Sequence, residues 1–218
     1  MKRICLVICI AFLFALSTFA QNDNNKQTVP APAKSSYADL LAKLKGGDTS
    51  IDFKALRLAY SETKEYSPDG ISIQQRKNLF QLLTDKKYNE AIEASEAILK
   101  TNYVEINSHQ VLAVAYRELG NAKKFDFHLK VYKGLIESII SGLDGKSTST
   151  AFTVISGEEE YDLIQGFGFE VESAAVDLSE KGHHYDVRSV RNPKTNESQK
   201  VYFNVDIIWN AMKKMLTK

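Results

Sequence analysis

The chain has 218 residues, with 28 lysines and arginines against 27 aspartates and glutamates, for a formal net charge of +1. Near-neutral charge removes the electrostatic reason to expect nucleic acid as a partner. The two cysteines, Cys5 and Cys9, both fall in the first twenty residues, so a chain processed after Ala20 has no disulfide, thiolate nucleophile or thiolate metal site.

Residues 1–20 carry the pattern of a cleavable secretory signal. Met1-Lys2-Arg3 is a positive start, Ile4 to Ala20 has no charge, and Thr18-Phe19-Ala20 places small residues at the positions a signal peptidase reads. The apolar run is short for a spanning helix, which needs about 20 apolar residues. Ile8 before Cys9, with the apolar run continuing beyond, argues against a lipid-modified cysteine. Loss of Lys2 and Arg3 takes the net charge from +1 to −1. The expectation is an exported protein, periplasmic or secreted in a Gram-negative envelope, with no stable membrane span after cleavage. Residues 21–35 are rich in Asn, Gln, Lys, Pro, Ala and Ser and read as a disordered linker.

Helical periodicity dominates residues 36–142. Ser36 with Asp39 suggests a capping box that opens a helix over Tyr37–Lys45, closed by Gly46-Gly47. Phe53, Leu56 and Tyr60 mark a helix over 53–62. Tyr66-Ser67-Pro68-Asp69-Gly70 is a turn, and Ser72 with Gln75 opens a helix to about Leu83. A stripe of Tyr88, Ala91, Ile92, Ser95, Ile98 and Leu99 predicts a helix over 88–99. Further helices are expected near 105–119 and over 122–141, the latter with Phe125, Leu129, Tyr132, Ile136 and Ile139 on one face.

Two of these segments resemble pieces of a tetratricopeptide repeat. Asp85 to Ile92 looks like the second half of one repeat, and Leu112 to Gly120 like the first half of the next. About one and a half repeats are visible, below the roughly three that a free-standing solenoid needs, so an ordinary bundle of helical hairpins is the equal alternative.

Gly142 to Thr150 is a linker, after which the period changes to two. Phe152 to Ile155 reads as a strand, and Ser156 with Glu159 as a capping box for a short helix ending at Gly166. The alternation of Phe167, Phe169 and Val171 changes parity by Val176 and Leu178, which predicts a bulge near Ala174. Tyr185–Val190 and Lys200–Val205 flank Asn192-Pro193-Lys194-Thr195-Asn196 as a hairpin, and Asp206 caps a last helix. The expected class is α+β: N-terminal helical hairpins of tetratricopeptide-like character, then a small antiparallel sheet with a C-terminal helix over 151–218, packed on the helices as one unit.

Candidate chemistry is sparse. His183-His184-Tyr185-Asp186 is a local cluster in which His184 and Asp186 would share a strand face. That supplies two ligands where a catalytic metal usually takes three. Glu158-Glu159-Glu160 with Asp162 could be paired carboxylates, but acids belong in a helix's first turn, where the dipole favours them. Nucleophile and phosphate-loop motifs are missing, and Gly166-Phe167-Gly168 lacks the third glycine of a dinucleotide fingerprint. Asn196-Glu197-Ser198 matches the glycosylation triplet, a match common by chance. Tyr103, Tyr116, Tyr132 and Tyr161 lie on separate elements and read as core or rim rather than a sugar platform, with Trp209 facing the core on one edge. His109 and His128 stand alone in helices. No catalytic, cofactor-binding or metal-ligating residue is assigned.

Ile51-Asp52-Phe53-Lys54-Ala55-Leu56-Arg57-Leu58-Ala59-Tyr60 followed by Tyr66-Ser67-Pro68 forms one characteristic stretch. Gly182 to Val187, then Val201-Tyr202-Phe203-Asn204-Val205-Asp206, forms a second. With the helical middle, they resemble an uncharacterised family of exported bacterial proteins, domain-of-unknown-function family four-nine-one-nine, over about residues 37–217. The resemblance implies an envelope protein with a signal peptide. It carries no activity and no catalytic residues.

The resulting expectation is a non-enzymatic envelope module whose tetratricopeptide-like helices form a binding surface for a protein or peptide. A hydrolase or small-ligand carrier with a site at the helix–sheet junction is the alternative.

Overall fold

The computed structural model describes residues 36–217. The expected signal peptide, 1–20, and linker, 21–35, lie outside them. Six helices come first: α1 (Tyr37–Lys45), α2 (Phe53–Tyr60), α3 (Ile73–Thr84), α4 (Tyr88–Leu99), α5 (Ile106–Glu118) and α6 (Ala122–Ile140). A short 3-10 turn, Thr148–Thr150, leads to β1 (Phe152–Thr153), α7 (Gly157–Gly166), β2 (Glu170–Asp177), β3 (Tyr185–Arg191), β4 (Ser198–Asn204) and α8 (Asp206–Leu216). The class is α+β, as the period change predicts.

Local chemistry sets most helix starts. Ser72 accepts from the Gln75 amide while the Gln75 side chain accepts from the Ser72 amide, a full capping box. Asp52 accepts from the amide of Ala55 at 2.8 Å. Ser36 accepts from the amide of Asp39, but its hydroxyl donates to the Asp39 carboxylate, so the reciprocal half of the expected box is replaced. At α7 the expected box is absent: Ser156 makes no side-chain cap bond, and Glu159 is engaged elsewhere. Asp206 is the first residue of α8 rather than its cap, which is Val205.

Helices α3 to α6 pack as successive hairpins. Small side chains make the close contacts: Ala91, Ser95 and Ala115 are fully buried between α4 and its neighbours. Helix α2 lies on α6 at Gly134, where a Cβ would run into the Phe53 ring.

The sheet has the order β1-β4-β3-β2. Strands β2, β3 and β4 are antiparallel, but β1 runs parallel to β4, pairing Phe152 with Phe203. The sheet is therefore mixed rather than antiparallel. The cause is that α7 acts as a crossover that carries the chain back, so β2 starts in the same direction as β1, and the β2–β3–β4 meander then lays β4 parallel to β1. A register shift falls between Val171 and Ser173, close to the bulge expected near Ala174.

One apolar core joins helices and sheet. Leu44 (α1), Leu56 (α2), Leu135 (α6), Leu163 (α7) and Phe203 (β4) all belong to it. A smaller cluster around Leu79, Ala91 and Val111 lies under α3–α5. No helix among the described residues is long and apolar enough to cross a membrane.

Candidate functional site

Helix α7 begins with three consecutive glutamates, and all three are buried: Glu158, Glu159 and Glu160 are 7%, 4% and 1% exposed. Successive helical residues point about 100° apart, so the three carboxylates leave the first turn in three directions. Each direction is closed by a different element, and each element supplies one arginine. Arg57 of α2 grips Glu159 with Nε at 2.9 Å and Nη2 at 2.5 Å. Arg76 of α3 reaches Glu158 at 2.9 Å. Arg188 of β3 donates from Nε to Glu160 at 2.7 Å and from Nη2 to Asp186 at 2.8 Å. The acids are not the solvated first turn that the sequence suggests. The dipole argument holds for their position, but the turn is embedded where helices and sheet meet.

Hydrogen bonds complete the junction. Glu158 also accepts from the Ile71 amide at 2.7 Å, and Glu159 from the Ile155 amide at 2.8 Å. Arg57 further donates to the Ser138 hydroxyl and the Thr153 carbonyl. Burial pushes the Glu160 carboxyl up to about 7, against the pull of Arg188. It pushes Glu158 up to about 6, against the Ile71 amide and Arg76. Asp162, one turn on, is raised well above the usual range by burial and then by the charge of Glu105. Asp162 accepts from the Asn107 side-chain Nδ2 at 3.1 Å, and Glu105 caps α5 by accepting from the backbone amides of Asn107 and Ser108.

Raised carboxyls invite a catalytic reading, but the enclosed space beside Glu159 and Asp162 is small. The cavity lined by Tyr60, Tyr66, Glu158, Glu159 and Asp162 holds about 20 Å³, room for one water. That cavity is closed to a substrate, whereas Glu158 and Glu160, with Arg76, Asp186 and Arg188, also line a larger open groove. Their geometry is that of tethers.

The histidine cluster resolves differently from the strand pattern. His184 precedes β3, and it does not meet Asp186. His183 and His184 instead converge on Asp206 at the start of α8, with Nδ1 atoms 2.7 and 3.1 Å from its two oxygens. His184 stacks on Trp209, ring centroids 4.5 Å apart, and Asp186 is held by Arg188. Among the described residues no group of three His, Cys, Asp or Glu side chains is placed to hold a metal.

A second histidine pair escapes sequence inspection because its members sit nineteen positions apart on α5 and α6. His109 Nδ1 lies 3.0 Å from His128 Nδ1, and His109 Nε2 lies 2.9 Å from the Tyr103 carbonyl. A carbonyl only accepts, so His109 carries its proton on Nε2, and the neutral pair then requires His128 Nδ1 to donate. Burial first, then mutual repulsion, lowers His109 to about 3; burial, then Lys124, lowers His128 to about 4. Tyr103 and Tyr116 flank the pair, and Tyr132 and Tyr161 lie elsewhere, so the four tyrosines form no common platform.

An open groove of about 380 Å³ runs between the start of α3, α7, the sheet and α8. Ile73, Tyr161, Val176, Trp209 and Met212 line it and are 41% to 69% exposed. Trp209 thus lies on this groove rather than in the core. Strand β2 borders it as the edge of the sheet, paired on one side only, with exposed side chains from Glu170 to Val176.

The family model for a domain of unknown function (DUF4919) matches residues 25–214. The chain belongs to this family. No curated protein and no solved structure matches it. The residues that carry the DUF4919 resemblance have structural work in this chain. Asp52 caps α2, Arg57 binds Glu159, and the Tyr66 hydroxyl donates to the Ile155 carbonyl at 2.5 Å. Asn204 donates to Asp206, which holds both histidines. These residues lock the helices onto the α7 segment and α8 onto the sheet, and Pro68, Asp186 and Val205 of the same stretches border the open groove.

Proposed function

We propose that this DUF4919 protein is a non-enzymatic, exported binding module of the Gram-negative envelope that holds an extended segment of a partner protein along the outer edge of β2. One observation carries the reading. The segment Ser173-Ala174-Ala175-Val176 is uncharged, exposed and lies on an unpaired sheet edge, directly beside the apolar groove. Free edges are normally protected by charge, proline or a cover. Here Glu170, Glu172 and the bulge guard the first part of the strand, and the small residues after them leave room for an incoming strand. Backbone pairing would supply affinity, and alternate side chains of the guest would enter the groove.

Export rests on the signal pattern of residues 1–20. The paired helices, with their tetratricopeptide-like spacing, suit a scaffold that presents this edge. The hydrolase alternative at the helix–sheet junction loses support because each carboxylate there is tied to an arginine or an amide, including Glu158 and Glu160 where they border the open groove.

The test is panning of a random peptide display library against the chain and against Ala174→Pro, which removes an N–H that points away from β3 and so blocks pairing at the free edge while the β2–β3 ladder is kept. Enrichment of peptides with alternating apolar residues on the parent alone supports the reading. Equal enrichment on both proteins, or none, defeats it. Cell fractionation with N-terminal sequencing tests export, with Gln21 expected as the first residue of the mature form.

A further inference from the structure

A second hollow, sharing no residue with the groove, lies between the C-termini of α1 and α4 and the α5–α6 pair. Its volume is about 650 Å³, within the range of small-molecule sites. Leu99, Leu112 and Phe127 give it an apolar wall, and Tyr103, Tyr116 and His128 an aromatic one. Lys45, Lys100, Lys123 and Lys124 stand around it, with Glu96 as the lone acid of the lining.

Helix electrostatics explains only half of this ring. Lys45 closes α1 and Lys100 caps α4, where cations suit the negative helix end. Lys123 and Lys124 occupy the first turn of α6, the positive end, where cations are unfavourable. Lys124 is held there by donating to the Tyr116 hydroxyl at 2.9 Å, while that hydroxyl donates to Glu96 at 3.1 Å. Lys124 lies 4.5 Å over the Tyr116 ring and Lys45 lies 4.9 Å over Tyr103. Among the described residues the side chains of Lys100 and Lys123 make no hydrogen bond or ion pair, so the hollow carries uncompensated positive charge over an apolar floor. Lys123, unlike Lys124, stands at the unfavourable helix end with no compensating side-chain contact, and such local exceptions are expected at functional places.

The floor adds one polar feature. His128 donates from Nδ1 to His109, which leaves a lone pair on Nε2. Ser108 Oγ is the sole buried side-chain polar atom without a partner among the described residues. His128 Nε2 is therefore open to solvent rather than orphaned in the core.

We propose that this hollow binds a small organic anion with a planar apolar body, such as an aromatic carboxylate or sulfonate. The rings of Tyr103, Tyr116 and Phe127 take the body, Lys100 and Lys123 take the acid group, and His128 Nε2 accepts from a hydroxyl or N–H on the ligand. The proposal is independent of the partner segment on β2.

The test uses the purified chain and anilinonaphthalene sulfonate, an aromatic anion that fluoresces when bound, beside phenylnaphthylamine, its uncharged counterpart. One saturable sulfonate site is expected, with the His128 ring resonances shifting and the indole N–H resonance of Trp209, in the other groove, unchanged. Lys100→Glu with Lys123→Glu should weaken the sulfonate at least about tenfold and leave the neutral dye unaffected. Both lysines are exposed and unpartnered, so the fold is retained, as circular dichroism checks. Absence of saturable binding overturns the proposal. So does sulfonate affinity indifferent to the charge reversal, or a response at Trp209 in place of His128.

Discussion

Arg57 and Glu159 stand 102 positions apart in the chain and form a two-pronged ion pair at 2.9 and 2.5 Å, with Arg57 only 1% exposed. The pair joins α2 to α7, and its remaining donors reach α6 and β1. Removing one partner strands a buried charge, which costs about 3–5 kcal/mol, whereas replacing both by apolar groups is often near neutral. Arg57→Met and Glu159→Leu should each destabilise by about that amount, and the double variant by clearly less than either alone. Urea denaturation midpoints of the four proteins decide it. Additive losses would mean that the pair does not hold the junction.

Much of the helical region is legible in the chain because its signals are local. The Ser72–Gln75 capping box and the Tyr88–Leu99 stripe state their own boundaries, and both occur as expected. The glutamate junction is illegible because a helix's first turn suits acids equally well in water and in a protein interior, and nothing near residues 158–160 announces arginines at 57, 76 and 188. The direction of β1 is hidden for a related reason: two residues of strand carry no mark of parallel or antiparallel pairing. The histidine pair left a faint trace. Helix α5 is apolar or small on nearly every side, with Val111, Leu112, Ala113 and Ala115 all buried. A helix of that kind is enclosed all round, so a histidine within it needs a partner from another element.

The His109–His128 pair makes stability depend on pH. Both pKa values are depressed, to about 3 and about 4, so between those values and 6.5 the unfolded chain binds more protons than the folded one. Their contribution is complete above pH 6.5 and is lost as pH falls. Glu158 and Glu160 act in the opposite sense. Raised to about 6 and about 7, they bind protons more readily when folded, and their contribution declines as pH rises from about 4.5. Replacing both histidines, as His109→Leu with His128→Phe, should leave the second trend, which the raised Asp162 and His183 share in sign. Urea midpoints between pH 4 and 7 should then fall with rising pH in the variant, and the difference between parent and variant should grow toward neutrality. A difference that is constant with pH would show that the imidazoles are not held neutral.

Asp206 binds His183 on one oxygen and His184 on the other. The hydrogen bond to Asp206, followed by its charge, raises the His183 pKa above 6.5, and the histidine bonds help hold Asp206 below the usual carboxylate range although its burial works against this. Asp206→Asn keeps the shape and removes the charge. NMR titration of the imidazole should then show the His183 midpoint moving down toward 6.5. A midpoint that stays in place would assign the shift to some other group.

Gly70 is where backbone geometry and the glutamate junction meet. Its φ is +69°, and a Cβ there would lie 2.5 Å from Glu158 Oε2. The glycine lets the turn approach closely enough for the Ile71 amide to donate to that same oxygen at 2.7 Å. Gly70→Ala therefore meets two penalties, a left-handed backbone worth about 1 kcal/mol and displacement of a buried hydrogen bond worth about 1–3 kcal/mol. A loss of about 2–4 kcal/mol is expected from urea denaturation. Gly120→Ala provides the comparison, since Gly120 has a similar φ of +73° with nothing within 4 Å of the added Cβ. It should show the backbone penalty alone. Equal losses at the two sites would mean that Glu158 yields freely and that the turn is not clamped to α7.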